Sequence, residues 1–221
     1  ITMDAHTNIE IEKSVIRSQH TQRNFDLNKR LPKEDIDTLL HAVTNCPSKQ
    51  NLAFYKVHFI QDRDLIEEIH ENTYGFNFHG KQIESNSQTL ANLLVIFEDY
   101  SDEELVDQIT KKTVGEKAKE YLKNGYWCEE TKQEITKDKL IALGIAAGYL
   151  NLTASLMGYR TGCCTCIDHS AIREIALLRE KPVLLMGVGF HQEGVNRRRH
   201  QIRDFTFPVQ KKQPIKYEVS D

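Results

Sequence analysis

The chain has 221 residues, enough to bury one sizeable core and too few for more than two domains, and a single domain is expected. A formal net charge of -3 argues against global attraction to nucleic acid or to an anionic membrane, and leaves a small molecule as the expected partner. Five cysteines, odd in number and irregular in spacing, with no apolar leader around Met3, argue against a disulfide-stapled secreted domain and for a reducing cytoplasm.

In chain order, the first clear element is a helix opening at Pro32-Lys33-Glu34-Asp35, with proline in its first turn and acids at the positive end of the helix dipole. Ile36, Leu39, Leu40 and Val43 form its apolar stripe, and Cys46-Pro47 ends it. Tyr55 to Ile60 alternates and predicts a strand, followed by a helix over 65–71. The continuous apolar run Leu93-Leu94-Val95-Ile96-Phe97 predicts a strand central in a sheet. Residues 102–123 are charged on most faces, with Leu105, Val106, Ile109 and Val114 as a thin stripe, and predict a peripheral helix or lid.

The segment 138–157 predicts a helix that is apolar nearly all round and therefore buried. Gly144, Gly148, Asn151 and Ser155 fall on one face, where another helix can approach closely, as at a dimer axis. Its uncharged stretch is barely long enough to span a membrane, its small and polar residues weaken insertion, and no basic flank orients it, so no membrane partner is expected. Tyr159 to Cys164 predicts a strand, Asp168 the cap of a helix reaching Leu178, and Val183 to Phe190 a buried strand. Helices and strands do not alternate strictly, so the fold class is α+β, with a mixed or antiparallel sheet flanked by helices.

Three of the cysteines, Cys163, Cys164 and Cys166, fall within four positions. Neighbouring residues on a strand point to opposite faces, so the three thiols do not converge readily on one ion, and no metal is expected. Asp168-His169-Ser170 holds the residue types of a hydrolase triad, but consecutive residues at a helix start cannot align nucleophile, base and orienter. The common P-loop, dinucleotide, zincin and nucleophile-elbow motifs are missing from the sequence. Basic residues are more informative: Arg197-Arg198-Arg199-His200 with Arg203, and Arg17 and Arg23 around Gln19-His20-Thr21-Gln22, combine the donors that an organic phosphate requires. The loop Cys46-Pro47-Ser48-Lys49-Gln50-Asn51 adds hydroxyl, amide and backbone N–H groups.

Read in order, these pieces resemble the FMN-dependent nitroreductase family, and more narrowly its oxygen-insensitive NAD(P)H branch. Ser14 to Asp26 is similar to the family's N-terminal Arg-His-Ser-x-Lys/Arg-x-Phe segment, which implies that Gln19, His20, Thr21 and Arg23 contact flavin phosphate, ribityl chain and pyrimidine edge. Pro47-Ser48-Lys49-Gln50-Asn51 is similar to Pro-Ser-x-x-Asn, which implies that Pro47, Ser48 and Asn51 reach the flavin held mainly by the other subunit. Tyr74-Gly75-Phe76-Asn77 resembles a Tyr-x-Phe-Asn segment, with Asn77 on the isoalloxazine ring and Tyr74 and Phe76 lining the substrate pocket. Arg197 and Arg199 fall where two basic residues hold the phosphate, and Cys164, Thr165 and Cys166 where backbone N–H groups pass flavin N5. Gln19 stands where the branch has a phosphate-binding Arg, Cys166 replaces a Gly, and Ala53-Phe54-Tyr55 replaces Gln-Pro-Trp.

The resemblance implies an intertwined homodimer, with residues 3–221 a single FMN-binding domain and 205–221 an extension wrapping the partner. It implies hydride transfer from NADH or NADPH through flavin N5 to a small oxidised acceptor such as a nitroaromatic or quinone, in ping-pong fashion and with no catalytic side chain. Arg23 is the candidate for stabilising reduced, anionic flavin. The alternatives are a reductive dehalogenase or a pterin or flavin reductase on the same fold, and, from another class, a redox or metal sensor built on the three clustered cysteines.

Overall fold

The computed structural model describes residues 5–78, 81–83, 86–112, 115–117, 119–120, 129–193 and 212–219. Its principal helices are α1 (Ala5–Ser18), α2 (Lys33–Thr44), α3 (Arg63–Glu71), α4 (Asp102–Lys112), α5 (Glu129–Leu156) and α6 (His169–Ile175). The strands are β1 (Tyr55–Ile60), β2 (Phe76–Phe78), β3 (Lys81–Ile83), β4 (Leu93–Asp99), β5 (Arg160–Cys164) and β6 (Pro182–Gly189). Four of them form an antiparallel sheet in the order β1-β4-β6-β5, and β2 pairs with β3 in a separate ribbon.

The apolar run of β4 is continuous because both faces of the sheet are covered. Leu93, Val95 and Phe97 point to one core with Leu39 and Val43 of α2 and Ala146, Leu150 and Ala154 of α5. Leu94 and Ile96 point to the other, with Ile66 and Ile69 of α3 and Ile172 of α6. All five of these β4 residues are fully buried, and at about 1.5–3 kcal/mol for each large aliphatic they hold β4 at the centre of the sheet. Beyond them β4 shifts register between Phe97 and Glu98. The buried Glu98 carboxylate there accepts from Arg179 N at 3.1 Å, Glu180 N at 2.7 Å and His58 Nε2 at 2.6 Å, fastening the turn that leads into β6.

Two expectations are corrected. Leu40 is 38 % exposed rather than part of the α2 stripe, because Leu39 and Val43, with Ile36 beside them, are the α2 residues that face the sheet. Helix α5 starts at Glu129, earlier than its apolar run, and is not buried all round. Its alanine face (Ala142, Ala146, Leu150, Ala154) packs on the protein, whereas Leu140, Ile141, Tyr149, Leu152 and Leu156 remain exposed. By length and composition 132–156 could cross a membrane, but the small alanine side chains seat it closely on the sheet.

Helix α1 gave little periodic signal because it docks by hydrogen bonds rather than by an apolar stripe. Ser155 Oγ donates to Ser14 O at 2.9 Å, Asn151 Nδ2 to Ser18 O at 3.1 Å, and Arg17 Nη1 to Ser155 O at 2.8 Å. The polar half of the small-residue face thus receives α1. Gly144 and Gly148, the other half, have nothing within 4 Å of where a Cβ would stand.

Candidate active site

After α1 the chain turns along the outer edge of the sheet. Gln19, His20 and Thr21 are exposed, while Gln22 N donates to the Thr161 carbonyl of β5 at 2.8 Å. The segment lies this close because β5 has glycine at 162: a Cβ there would stand 2.8 Å from the Gln22 carbonyl and 3.1 Å from Thr21 Cγ2. Arg23 is half-buried, and its Nη1 donates to Gln88 Oε1 at 2.7 Å. Desolvation lowers its pKa, opposed by the neighbouring Cys164.

The strand-to-loop turn that follows β5 lies against the same guanidinium. Cys163 is exposed and Cys164 buried, the opposite orientation expected of neighbours on a strand. Burial pushes the Cys164 thiol up to about 11, and desolvation also raises that of Cys163. Thr165 and Cys166 are exposed, and the Cys166 carbonyl accepts from Tyr74 N at 2.7 Å. Tyr74 is 55 % exposed, and its pKa is raised by desolvation and then by the nearby Asp168 carboxylate. Asp168 caps α6, accepting from Ser170 N and Ala171 N at 3.0 Å each, as expected. Among the described residues no group of three His, Cys, Asp or Glu side chains is placed to hold a metal ion.

Gln19, His20, Thr21, Arg23, Tyr74, Cys164, Thr165 and Cys166 therefore gather at the β5 edge. Pro47, Ser48 and Asn51 do not. Their loop precedes β1, at the opposite edge of the sheet, three strand spacings or roughly 14 Å across. There Ser48 and Asn51 border a cleft of about 460 Å³ with Cys46, Tyr55 and Lys56. Gln50 and Asn51 both hold positive φ, at 54° and 52°, and the turn is closed by Ser48 Oγ donating to Leu52 O at 2.6 Å. Phe76 and Asn77 lie in β2, opposite Ile83 and Gln82; only their backbone is described. Arg197 and Arg199 lie outside the described residues.

A four-residue turn at the centre of this arrangement carried no sequence signal. Asn86-Ser87-Gln88-Thr89 resembles an ordinary polar turn before a strand, yet all four residues are buried.

The nitroreductase family model matches residues 16–190. The chain belongs to the nitroreductase family. The match runs from the end of α1 through β6, so it includes both the β5-edge cluster and the Pro47–Asn51 loop. The family is one of oxidoreductases, and its fold is the α+β arrangement described above. No curated protein matches the chain in sequence. Among solved structures, a nitroreductase family protein from Streptococcus pneumoniae TIGR4 is 20% identical with a TM-score of 0.63, covering 93% of this chain and 100% of its own. A protein from Staphylococcus epidermidis ATCC 12228, described as a candidate NAD(P)H:FMN oxidoreductase, is 22% identical with a TM-score of 0.61, covering 93% and 98%. A candidate nitroreductase from Exiguobacterium sibiricum 255-15, solved in complex with FMN, is 18% identical with a TM-score of 0.59, covering 90% and 95%. At these identities the likeness is one of fold.

Proposed function

We propose that this nitroreductase-family chain is an FMN-dependent oxidoreductase that takes hydride from NADH or NADPH and passes it to a small oxidised acceptor, a nitroaromatic or quinone, in ping-pong fashion. The observation that carries the reading is the half-buried Arg23 guanidinium, fixed by Gln88 beside the turn that follows buried Cys164, where Thr165 and Cys166 are exposed. The donor set fits FMN. Hydroxyl, imidazole, amide and guanidinium groups at Gln19, His20, Thr21 and Arg23 are those that a phosphate, a ribityl chain and a pyrimidine edge accept from. Arg197 and Arg199 would add charge at the phosphate, and Asn77 would meet the ring. The FMN complex of the Exiguobacterium relative supports the same cofactor.

FMN, when bound, would supply the redox chemistry of hydride transfer between nicotinamide and acceptor. The chain's own tasks are to hold the ring, to offer one open face beneath Tyr74 and Phe76, and to place Arg23 where negative charge develops. No side-chain acid or nucleophile is needed. The Cys163 and Cys164 thiols keep their protons at neutral pH and point to opposite faces, which favours this reading over a thiol or metal sensor.

A homodimer completes the site. Pro47, Ser48 and Asn51 lie at the far edge of the sheet, so they meet the Arg23 cluster of a second copy more readily than their own. The open face of α5 and the exposed segment 212–219, with Ile215, Tyr217 and Val219 at least 76 % exposed, supply apolar surface for that contact. Residues 3–221 then form one domain, with 205–221 wrapping the partner, and the free thiols suit a reducing cytoplasm.

The test is the visible spectrum of the purified protein after incubation with FMN, followed anaerobically as NADH or NADPH is added. Retained flavin bands that bleach on addition are the expected result, and Arg23→Ala should weaken FMN retention and slow the bleaching. A protein that keeps no flavin would overturn the reading.

A further inference from the structure

A buried amide is tolerated where its donors and acceptor are matched, and those of Gln88 are. Gln88 is 3 % exposed in the 3-10 turn Ser87–Thr89. Its Oε1 accepts from Arg23, while its Nε2 donates to the Cys163 carbonyl at 3.1 Å and to Asn86 Oδ1 at 3.2 Å. Because a guanidinium only donates, the atom facing Arg23 must be the oxygen, so the amide has a single orientation. Asn86 is aligned in turn by its Nδ2, which donates to the Tyr74 carbonyl at 2.7 Å.

The sheet is cut away to admit this turn. Gly162 and Gly187 are register partners on β5 and β6. A Cβ on Gly162 would stand 2.5 Å from Gln88 Cβ, and one on Gly187 would stand 2.0 Å from the Gln88 carbonyl oxygen. Two facing glycines therefore make a notch that fixes both the backbone of Gln88 and the root of its side chain.

The geometry points to Gln88 as a positioning residue that ties three parts of the site together, the Arg23 guanidinium, the Cys163 carbonyl and, through Asn86, the Tyr74 backbone. This inference rests on the role proposed for Arg23. A cation fixed before charge develops stabilises that charge without reorganising, whereas a freely rotating one must first be ordered. Gln88 thus tunes the preference of the site for reduced over oxidised flavin, without touching the flavin itself.

Two measurements separate this inference from the reading beneath it. The first needs no flavin: phenylglyoxal labelling of Arg23 in the full chain, read by peptide mass spectrometry. Gln88→Met keeps the volume of the side chain in the notch but removes its hydrogen bonds, and labelling should rise several-fold. Gln88→Glu keeps an acceptor for Arg23, and labelling should stay low. Labelling unchanged in Gln88→Met would overturn the proposal, whatever the cofactor.

The second is the midpoint potential of bound FMN. Gln88→Met should reduce the preference for reduced flavin about tenfold, equivalent to a fall of ~30 mV for a two-electron couple. Gln88→Glu, whose carboxylate offsets the guanidinium charge, should lower the potential as well. Arg23→Ala should lower it at least as far, and the double variant Arg23→Ala with Gln88→Met no further than Arg23→Ala alone. A shift in Arg23→Ala with none in either Gln88 variant overturns the positioning role and leaves the Arg23 reading standing. An unchanged potential in Arg23→Ala overturns both. Should Gln88→Met fail to fold, Gln88→Ala, which also removes the acceptor for Arg23, decides: unchanged Arg23 labelling would sink the proposal.

Discussion

Cys164 is 4 % exposed, and burial pushes its thiol from an ordinary 9.0 to about 11. Between those values the unfolded chain has lost the proton that the folded chain keeps. The unfolded state then binds fewer protons, and stability falls as the pH rises through the interval. The loss should approach about 2–3 kcal/mol near the upper end and be absent below the lower one. Cys164→Ala removes the thiol, so urea denaturation at neutral and alkaline pH should show a shallower decline for the variant; parallel declines would mean that the thiol is not raised. The cysteine cluster was the most conspicuous feature of the sequence, and burial holds the Cys163 and Cys164 thiols in their protonated form at neutral pH. Gln88 was inconspicuous and sits at the centre of the site. The difference is burial, which one-dimensional spacing does not report.

Among the elements, those that bury a stripe were legible and those that dock by polar groups were not. Helix α2, β1, the core of β4 and β6 followed from periodicity and apolar runs. Helix α1 did not, because Ser14, Arg17 and Ser18 join it to α5 through hydrogen bonds. The segment after α1 is held in the same way. Buried Asn92 donates through Nδ2 to the Asp26 and Lys29 carbonyls at 2.8 Å each and accepts from Phe190 N at 3.1 Å. Asn92→Ala removes the side-chain partner of the Lys29 carbonyl and of the Phe190 N–H, and leaves the Asp26 carbonyl to Lys29 N at 3.3 Å alone, and should cost about 2–3 kcal/mol of stability by urea denaturation. It should also loosen FMN retention, since the loop that carries Arg23 loses one of its anchors. A loss below about 0.5 kcal/mol would show that water replaces the amide.

For the molecule as a whole, the two groups of candidate flavin contacts lie at opposite edges of one sheet, so the proposed homodimer would couple assembly to cofactor binding. Gly148 on the open face of α5 is the place to test this. Nothing lies within 4 Å of a Cβ there, and replacing a helical glycine should stabilise the isolated helix by about 0.5–1 kcal/mol. Gly148→Glu should therefore leave the chain folded while placing charge on the apolar face. Sedimentation velocity is expected to show wild type at twice the chain mass with flavin bound, and the variant shifted to monomer with its flavin lost. An FMN-loaded monomer would separate the two properties.

The amino-acid order alone determined which segments are apolar on one side or both, where helices are capped and which family the motifs resemble, because these depend on residues close together in the chain. Only the tertiary structure decided that α5 buries its alanines and leaves its glycines open, that the Pro47–Asn51 loop stands a sheet's width from Arg23, and that a polar turn fills a two-glycine notch. Each of these depends on which distant segment supplies the opposing surface, and that is set by how strands pair across the sheet.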